Sequence, residues 1–217
     1  NDSNPYDLKF NYAPTKMERH SNDGSDYVGK YYKDTTTTDY GLTTEKPHRY
    51  LLNGGMVARS TDANGRGKHV FMASTMGQAG RGAFAINIGG VDRATGSPIA
   101  ANNVDTANWH QQVKLFETPT GATNELGFTI GSPQIGRTQI NTNATAAHND
   151  TSSNIHYGVF LGNGYNYNNN YQAGNQASND TPTLYIYDAL GQDVGLNPNS
   201  TTFTKGELLK KFTITDG

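Results

Sequence analysis

The chain has 217 residues, of which 34% are hydrophobic, 10% aromatic and 17% charged, with 25 glycines and no cysteine. A formal net charge of −2 gives no electrostatic basis for binding nucleic acid, and the absence of cysteine excludes disulfide bonds. No apolar run reaches the ~18 residues of a membrane-spanning helix, so the sequence predicts no membrane insertion. The aromatic content is sufficient for a core, and the composition therefore indicates an all-β, loop-rich fold.

Residues 1–46 are polar and differ in composition from the rest of the chain. Alternation from Tyr6 to Tyr12 predicts one edge strand, and the remainder of this region is interpreted as a surface lead-in or insertion. The oxygen-rich residues from Asn22 to Asp26 surround a glycine, as in a calcium loop. Because the distal bidentate acid of such loops is missing, we predict no metal site there.

A first group of four short strands is predicted between residues 47 and 120. Two apolar strands, His69 to Ser74 and Ala83 to Ile88, are joined by a connection that contains Gly77, Gly80 and Gly82. Glycines of this kind supply the positive φ angles that a tight antiparallel connection requires. The two flanking strands are predicted at Gly55 to Ser60 and Gln111 to Thr118.

A second group of four strands repeats the first between residues 121 and 217. Its strands are predicted at Ser132 to Ile140, Ile155 to Gly162, Thr183 to Asp188 and Leu208 to Thr215. Two successive groups of four short strands are typical of antiparallel β-propeller blades. Propellers close with about four to eight blades, so two blades predict that this chain is a fragment of a larger propeller.

The sequence offers no pattern for catalysis or for binding a cofactor. Its six histidines are scattered without the spacing of a zinc site, and no nucleophile is paired with a base and an orienting acid. The glycine-rich run from Gly77 to Gly82 precedes a strand rather than a helix, which excludes a phosphate loop. We therefore predict no catalytic residue, no metal ligand and no cofactor in this segment.

Two long polar insertions interrupt the second group, at Asn141 to Asn154 and Asn163 to Asp180. The second insertion combines tyrosines with asparagine and glycine, which is how antibody loops that recognise proteins are composed. The same side chains would also suit a glycan. The candidate receptor-binding residues are Tyr165, Asn166, Tyr167, Asn168 and Tyr171. The alternative interpretation is an inert polar surface loop.

Two single residues have structural interpretations. Trp109, the only tryptophan, directly precedes a predicted strand and is expected to pack between blades. Arg81 lies between two glycines, and we expect it to bond nearby carbonyl groups of its hairpin.

Four motifs occur in an order that resembles the C-terminal propeller of the PilC/PilY family of type IV pilus-associated adhesins. They are Gly80 to Asn87 (GRGAFAIN), Leu126 to Pro133 (LGFTIGSP), Gly162 to Asn166 (GNGYN) and Leu184 to Ala189 (LYIYDA). The resemblance covers about His48 to Asp216. It implies an extracellular protein of the pilus tip or outer membrane that promotes pilus display, attaches to host cells and contributes to virulence.

The resemblance also implies partners: minor pilins or other pilus subunits, a host-cell receptor, and the remaining blades of the parent propeller. It implies no enzymatic activity. The chain departs from the family pattern at Asn87, where the family has aspartate, and at Leu190-Gly191, where the usual turn is shortened. The family's calcium loop has no counterpart and would begin after Gly217, so calcium is implied for the parent protein and not for this segment.

Two other classes of function remain open. One is a structural module of a bacterial surface protein that binds a partner chain along its sheet edges. The other is a quinoprotein-like propeller enzyme, which is disfavoured because such a fold needs several tryptophan-containing blade ends and this chain has one tryptophan.

Overall fold

The computed structural model describes Tyr12, Pro14 and residues 52–60, 70–90, 112–118, 126–139, 155–164, 182–189 and 206–214. Within these residues the structure consists of short strands and one 3₁₀ turn, Gly77–Ala79. The strands are β1 Met56–Ser60, β2 Val70–Thr75, β3 Ala83–Asn87, β4 Lys114–Glu117, β5 Gln134–Gln139, β6 Ile155–Gly162, β7 Thr183–Asp188 and β8 Leu208–Thr213.

The strands form two antiparallel four-stranded sheets, with orders β1-β2-β3-β4 and β5-β6-β7-β8. The prediction of an all-β chain with two four-stranded blades is confirmed. The largest boundary difference is at the fourth strand, predicted to begin at Gln111 and observed to begin at Lys114.

The two sheets share one irregularity, which supports their interpretation as repeats. The pairing of the third and fourth strands shifts between Ala85 and Ile86 in the first sheet, and between Ile186 and Tyr187 in the second. A bulge of this kind bends the strand and increases its local twist. Because the shift occurs at equivalent positions, both sheets twist at the same point along their outer strands.

The glycine-rich connection between β2 and β3 corrects one detail of the prediction. Gly77 and Gly82 adopt positive φ angles of 62° and 127°, as expected. Gly80 does not, because its φ of 178° is extended backbone that any residue adopts. The backbone conformation therefore requires glycine at Gly77 and Gly82 and not at Gly80.

The main core lies between the two sheets. Side chains alternate along a strand, so Phe71 and Ala73 of β2 face the second sheet, while Tyr157 and Val159 of β6 face the first. The rings of Phe71 and Tyr157 meet edge to face with centroids 6.2 Å apart. This shared core makes the two sheets one folding unit.

The opposite face of the first sheet is covered by a residue from the beginning of the chain. Tyr12 packs against Phe84, with ring centroids 5.4 Å apart, and lies beside the cluster that includes Ile86. Its hydroxyl donates a hydrogen bond to the carboxylate of Glu117. Tyr12 therefore covers part of this face of the first sheet.

The buried contact of Tyr12 predicts a stability change at high pH. Burial, followed by the charge and hydrogen bond of Glu117, raises the pKa of Tyr12 well above its usual range. The unfolded chain releases this proton near pH 10 and the folded chain keeps it, so stability falls as pH rises above about 10. Relative to Tyr12→Phe, the free energy of unfolding should fall by about 1.4 kcal/mol more per pH unit there. Denaturant titrations of both proteins between pH 9 and about 11 test this, and identical slopes would contradict it.

The face of the second sheet that points away from the first sheet is partly exposed. Leu184 is 40% exposed, its strand partner Phe212 is 50% exposed, and Ile214 is 62% exposed. Ile186 and Asp188 on this face are buried. We call this surface the outer apolar face. Its composition matches a sheet face that packs against another element.

Candidate functional site at the junction of the two sheets

Residues 126–132, which lead into β5, run between the two sheets and connect them; we call them the junction segment. Its successive carbonyl groups accept hydrogen bonds from both sheets. The donors are Gly164 N–H to Leu126 O (2.8 Å), Gly82 N–H to Gly127 O (3.1 Å), Gly77 N–H to Thr129 O (3.1 Å), Gly55 N–H to Ile130 O (3.1 Å) and Thr75 Oγ1–H to Gly131 O (3.1 Å). This segment therefore satisfies backbone groups at the ends of several strands at once.

Glycines make this close approach possible. A Cβ atom on Gly164 would lie 1.8 Å from the carbonyl oxygen of Phe128, and one on Gly55 would lie 2.2 Å from Oγ of Ser132. Both distances are shorter than any tolerated contact. The glycine motifs on either side of the junction segment are thus steric requirements of the junction.

Arg81 is buried at the junction, with 5% of its surface exposed. Its guanidinium lies 5.8 Å from the centroid of the Phe128 ring, in the junction segment. A cation over an aromatic face is favourable, and more so when water is excluded. Beyond the hairpin role expected from the sequence, Arg81 therefore joins the β2–β3 connection to the junction segment.

The base of the β6–β7 loop (residues 163–182) is held by paired hydrogen bonds at the same junction. The Asn163 N–H donates to the Thr183 carbonyl at 3.0 Å, and the Thr183 N–H donates to Oδ1 of Asn163 at 2.9 Å. Thr129 Oγ1 donates to the carbonyl of Gly162 at 3.0 Å, immediately before the loop. The two ends of the loop are therefore fixed to each other and to the junction segment.

A family model for the PilY1 beta-propeller domain matches residues 1–196 of the chain. The chain belongs to the PilY1 β-propeller family. No curated protein and no solved structure matches it. Family membership agrees with the resemblance seen in the four motifs, and the match also takes in residues 1–46. The PilY1 propeller domain implies a type IV pilus-associated function for the chain.

The structure explains one departure from the PilC/PilY pattern. Asn87 ends β3, where the family has aspartate, and its amide Nδ2 donates to the carbonyl of Gln112 at 2.8 Å. Its Oδ1 accepts from the N–H of Gly89 at 3.0 Å, in the turn. The equivalent residue of the second sheet is Asp188, which is buried. Asparagine therefore keeps the turn-capping function of the aspartate and adds a donor.

The predicted receptor-binding residues of this PilY1-family propeller, Tyr165, Asn166, Tyr167, Asn168 and Tyr171, lie outside the described residues. Trp109 and the region from Asn22 to Asp26 lie outside them as well. The structure describes the base of the tyrosine-rich loop. The role of the five side chains stays a prediction.

Sequence reasoning did not find the junction segment or the Asn163–Thr183 pair. The available signal was the spacing of glycines: Gly55, Gly77, Gly82, Gly127 and Gly164 all meet at this junction, although they are spread along more than half the chain. A glycine required for close approach cannot be distinguished by sequence from one required by a turn.

Among the described residues, no three His, Asp or Glu side chains are grouped closely enough to hold a metal ion. None of the described elements is a helix of the length and apolar character needed to cross a membrane.

Proposed function

We propose that this chain supports the display of type IV pili and attaches to host cells through the β6–β7 loop. The observation that carries the proposal is the fixed base of this loop, where Asn163 and Thr183 exchange two hydrogen bonds. Fixing both ends of a loop lowers the entropy that is lost when the loop binds a partner. The junction segment thus supports the base of a loop whose sequence is rich in tyrosine and asparagine.

The composition of the loop favours recognition over catalysis. Tyrosine rings offer large contact areas with few rotatable bonds, and asparagine amides adapt to varied hydrogen-bonding groups. In the proposed role the chain is not an enzyme and holds no cofactor. Calcium belongs to another part of the parent protein.

The proposed location is the pilus tip or the outer membrane. Minor pilins or other pilus subunits, a host-cell receptor and the remaining propeller blades are the proposed partners. Support comes from family membership, which implies interactions with the pilus system in general.

Replacing Tyr165, Tyr167 and Tyr171 with serine in the parent protein tests the adhesive role. Because aromatic anchors dominate binding energy at protein interfaces, attachment to host cells should fall at least about tenfold while surface pili stay at normal number. Attachment assays and electron microscopy of the same cells provide the measurement. The matched control replaces Tyr27, Tyr31 and Tyr32 with serine, which should leave attachment unchanged. Equal attachment by both triple variants and the native protein would contradict the adhesive role.

Deletion of the parent protein distinguishes the two proposed functions, pilus display and attachment to host cells. Loss of pili would identify pilus display as the primary duty, with any loss of attachment secondary. Normal pili without attachment would identify an adhesin. Normal pili and normal attachment together would contradict both.

That last outcome would favour the second candidate function, a structural module that binds a partner chain. The specific observation behind it is the outer apolar face, where Leu184, Phe212 and Ile214 are all exposed. Exposed apolar groups on one sheet face favour coverage by another protein element.

A further inference from the structure

The bulge shared by the two sheets defines which residues of one sheet correspond to which residues of the other. In the first sheet the pairing shifts after Ala85, which pairs with Phe116. In the second sheet it shifts after Ile186, which pairs with Lys210. Ala85 therefore corresponds to Ile186. By the same alignment, Phe116 corresponds to Lys210.

This correspondence relates the outer apolar face to a face of the first sheet that is already covered. Ala85 and Phe116 lie in the core between the two sheets, so their face of the first sheet packs against the second sheet. Ile186 lies on the outer apolar face, because residues two apart on a strand share a face and Leu184 belongs to that surface. The outer apolar face is therefore the counterpart of the face through which the first sheet contacts the second.

Matching positions on these two faces differ sharply in exposure. Ala83 and Leu184 each lie two residues before the matched position of their strand, and they are 1% and 40% exposed. Thr118 and Phe212 each lie two residues after the matched position of the fourth strand or its continuation, and they are 3% and 50% exposed. The described residues therefore do not give the outer apolar face the cover that its counterpart has.

The second sheet shows what kind of surface covers such a face. It meets the first sheet with rings and branched side chains, including those of Val159, Tyr157 and Tyr187. The ring of Tyr187 stacks on that of Phe116 with centroids 6.2 Å apart. Two sheets that pack face to face bury side chains in this way along their whole contact. An aromatic and aliphatic sheet face is thus the surface that fits the outer apolar face.

A second copy of this chain does not offer that surface in a free state. The residues of the first sheet that correspond to Tyr187 and Val159 are Ile86 and Met72, which pair with each other in the same register. Tyr12 already packs against the cluster that contains Ile86 and Met72. A second copy would first have to displace its own Tyr12, so a sheet from elsewhere in the parent protein fits better.

We propose that the outer apolar face binds a third four-stranded sheet, which another repeat of the parent protein supplies, through the aromatic and aliphatic face of that sheet. The proposal rests on one partner named in the proposed function, the remaining propeller blades, and identifies the surface that this partner uses. It does not involve attachment to host cells by the β6–β7 loop.

Maleimide labelling of cysteine variants in the parent protein, read at each site by mass spectrometry, tests this surface. Phe212→Cys reports on the outer apolar face. Ile130→Cys is the matched control, because the two native side chains are 50% and 51% exposed in this chain. Ile130 and Asn53 correspond, since each lies four residues before a matched position of β5 or β1. Asn53 stays exposed beside the second sheet, so Ile130 should stay exposed beside a third.

The labelling rates should separate only in the parent protein. In the 217-residue chain, both thiols should react at similar rates. In the parent protein, Phe212→Cys should react at least about tenfold more slowly than Ile130→Cys, because the reagent reaches it only when the interface opens. Equal rates in the parent protein would overturn the proposal.

A photoreactive maleimide attached to Phe212→Cys in the parent protein identifies what covers the face. The cross-linked peptide should come from a part of the parent protein outside these 217 residues, with the alternating apolar pattern of a strand. A cross-link to a pilus subunit would overturn the proposal and favour the second candidate function. A cross-link to a second copy of this chain, or none to the parent protein, would also overturn it. Since attachment is not part of this readout, failure of the adhesive role would leave the result unchanged.

Discussion

Replacing Phe71 with alanine is expected to lower the free energy of unfolding by about 3–5 kcal/mol. Phe71 is 1% exposed at the centre of the core between the two sheets, and its ring meets that of Tyr157 edge to face. The substitution removes the buried area of the ring and leaves a cavity that rigid strands on both sides cannot fill. Denaturant unfolding followed by circular dichroism provides the measurement.

The matched control for this change is Phe212→Ala. It deletes the same atoms from the outer apolar face, where Phe212 is half exposed. Its expected cost is below about 1.5 kcal/mol, because the ring gives up much less buried area. Equal destabilisation by the two variants would show that the two sheets do not share the core described above.

Gly164→Ala is expected to lower the free energy of unfolding by about 3 kcal/mol, a large effect for the addition of one methyl group. The new Cβ would lie 1.8 Å from the carbonyl oxygen of Phe128. Since that oxygen belongs to the backbone, relief requires the base of the β6–β7 loop to move away from the junction segment. The hydrogen bond from Gly164 to Leu126 would then be lost.

Gly162→Ala is the control two residues earlier, at the last residue of β6. A Cβ on Gly162 meets nothing within 4 Å, so this change should alter stability by less than about 0.5 kcal/mol. The pair of variants thus separates contact at the junction from the general effect of replacing glycine with alanine near the end of β6. Native-like stability of Gly164→Ala would mean that the loop base is not held against Phe128.

Strand positions were predictable because alternation and turn residues are local properties of the chain. Ile155–Gly162 and Thr183–Asp188 were predicted with their observed bounds. Where boundaries differ, as before Lys114, the end of the strand is set by pairing with β3 rather than by composition. The position at which a partner strand ends cannot be predicted from the local sequence.

The junction could not be predicted because its contacts join distant parts of the chain. Thr75 donates to Gly131, and Gly164 donates to Leu126, across 56 and 38 positions of sequence. Each glycine, taken alone, is as compatible with a surface turn as with close backbone contact. The tyrosine-rich loop was predicted from its composition. Its binding role stays a prediction.

The sequence by itself determined the all-β class, the two groups of four strands and membership of the PilY1 family, because alternation, turn residues and ordered motifs are all local patterns. Only the tertiary structure decided which sheet face is covered by Tyr12 and where the junction segment lies. The physical reason is that the burial of a side chain depends on how the sheets pack. Packing brings together residues that are distant in the sequence, and no local pattern predicts those contacts.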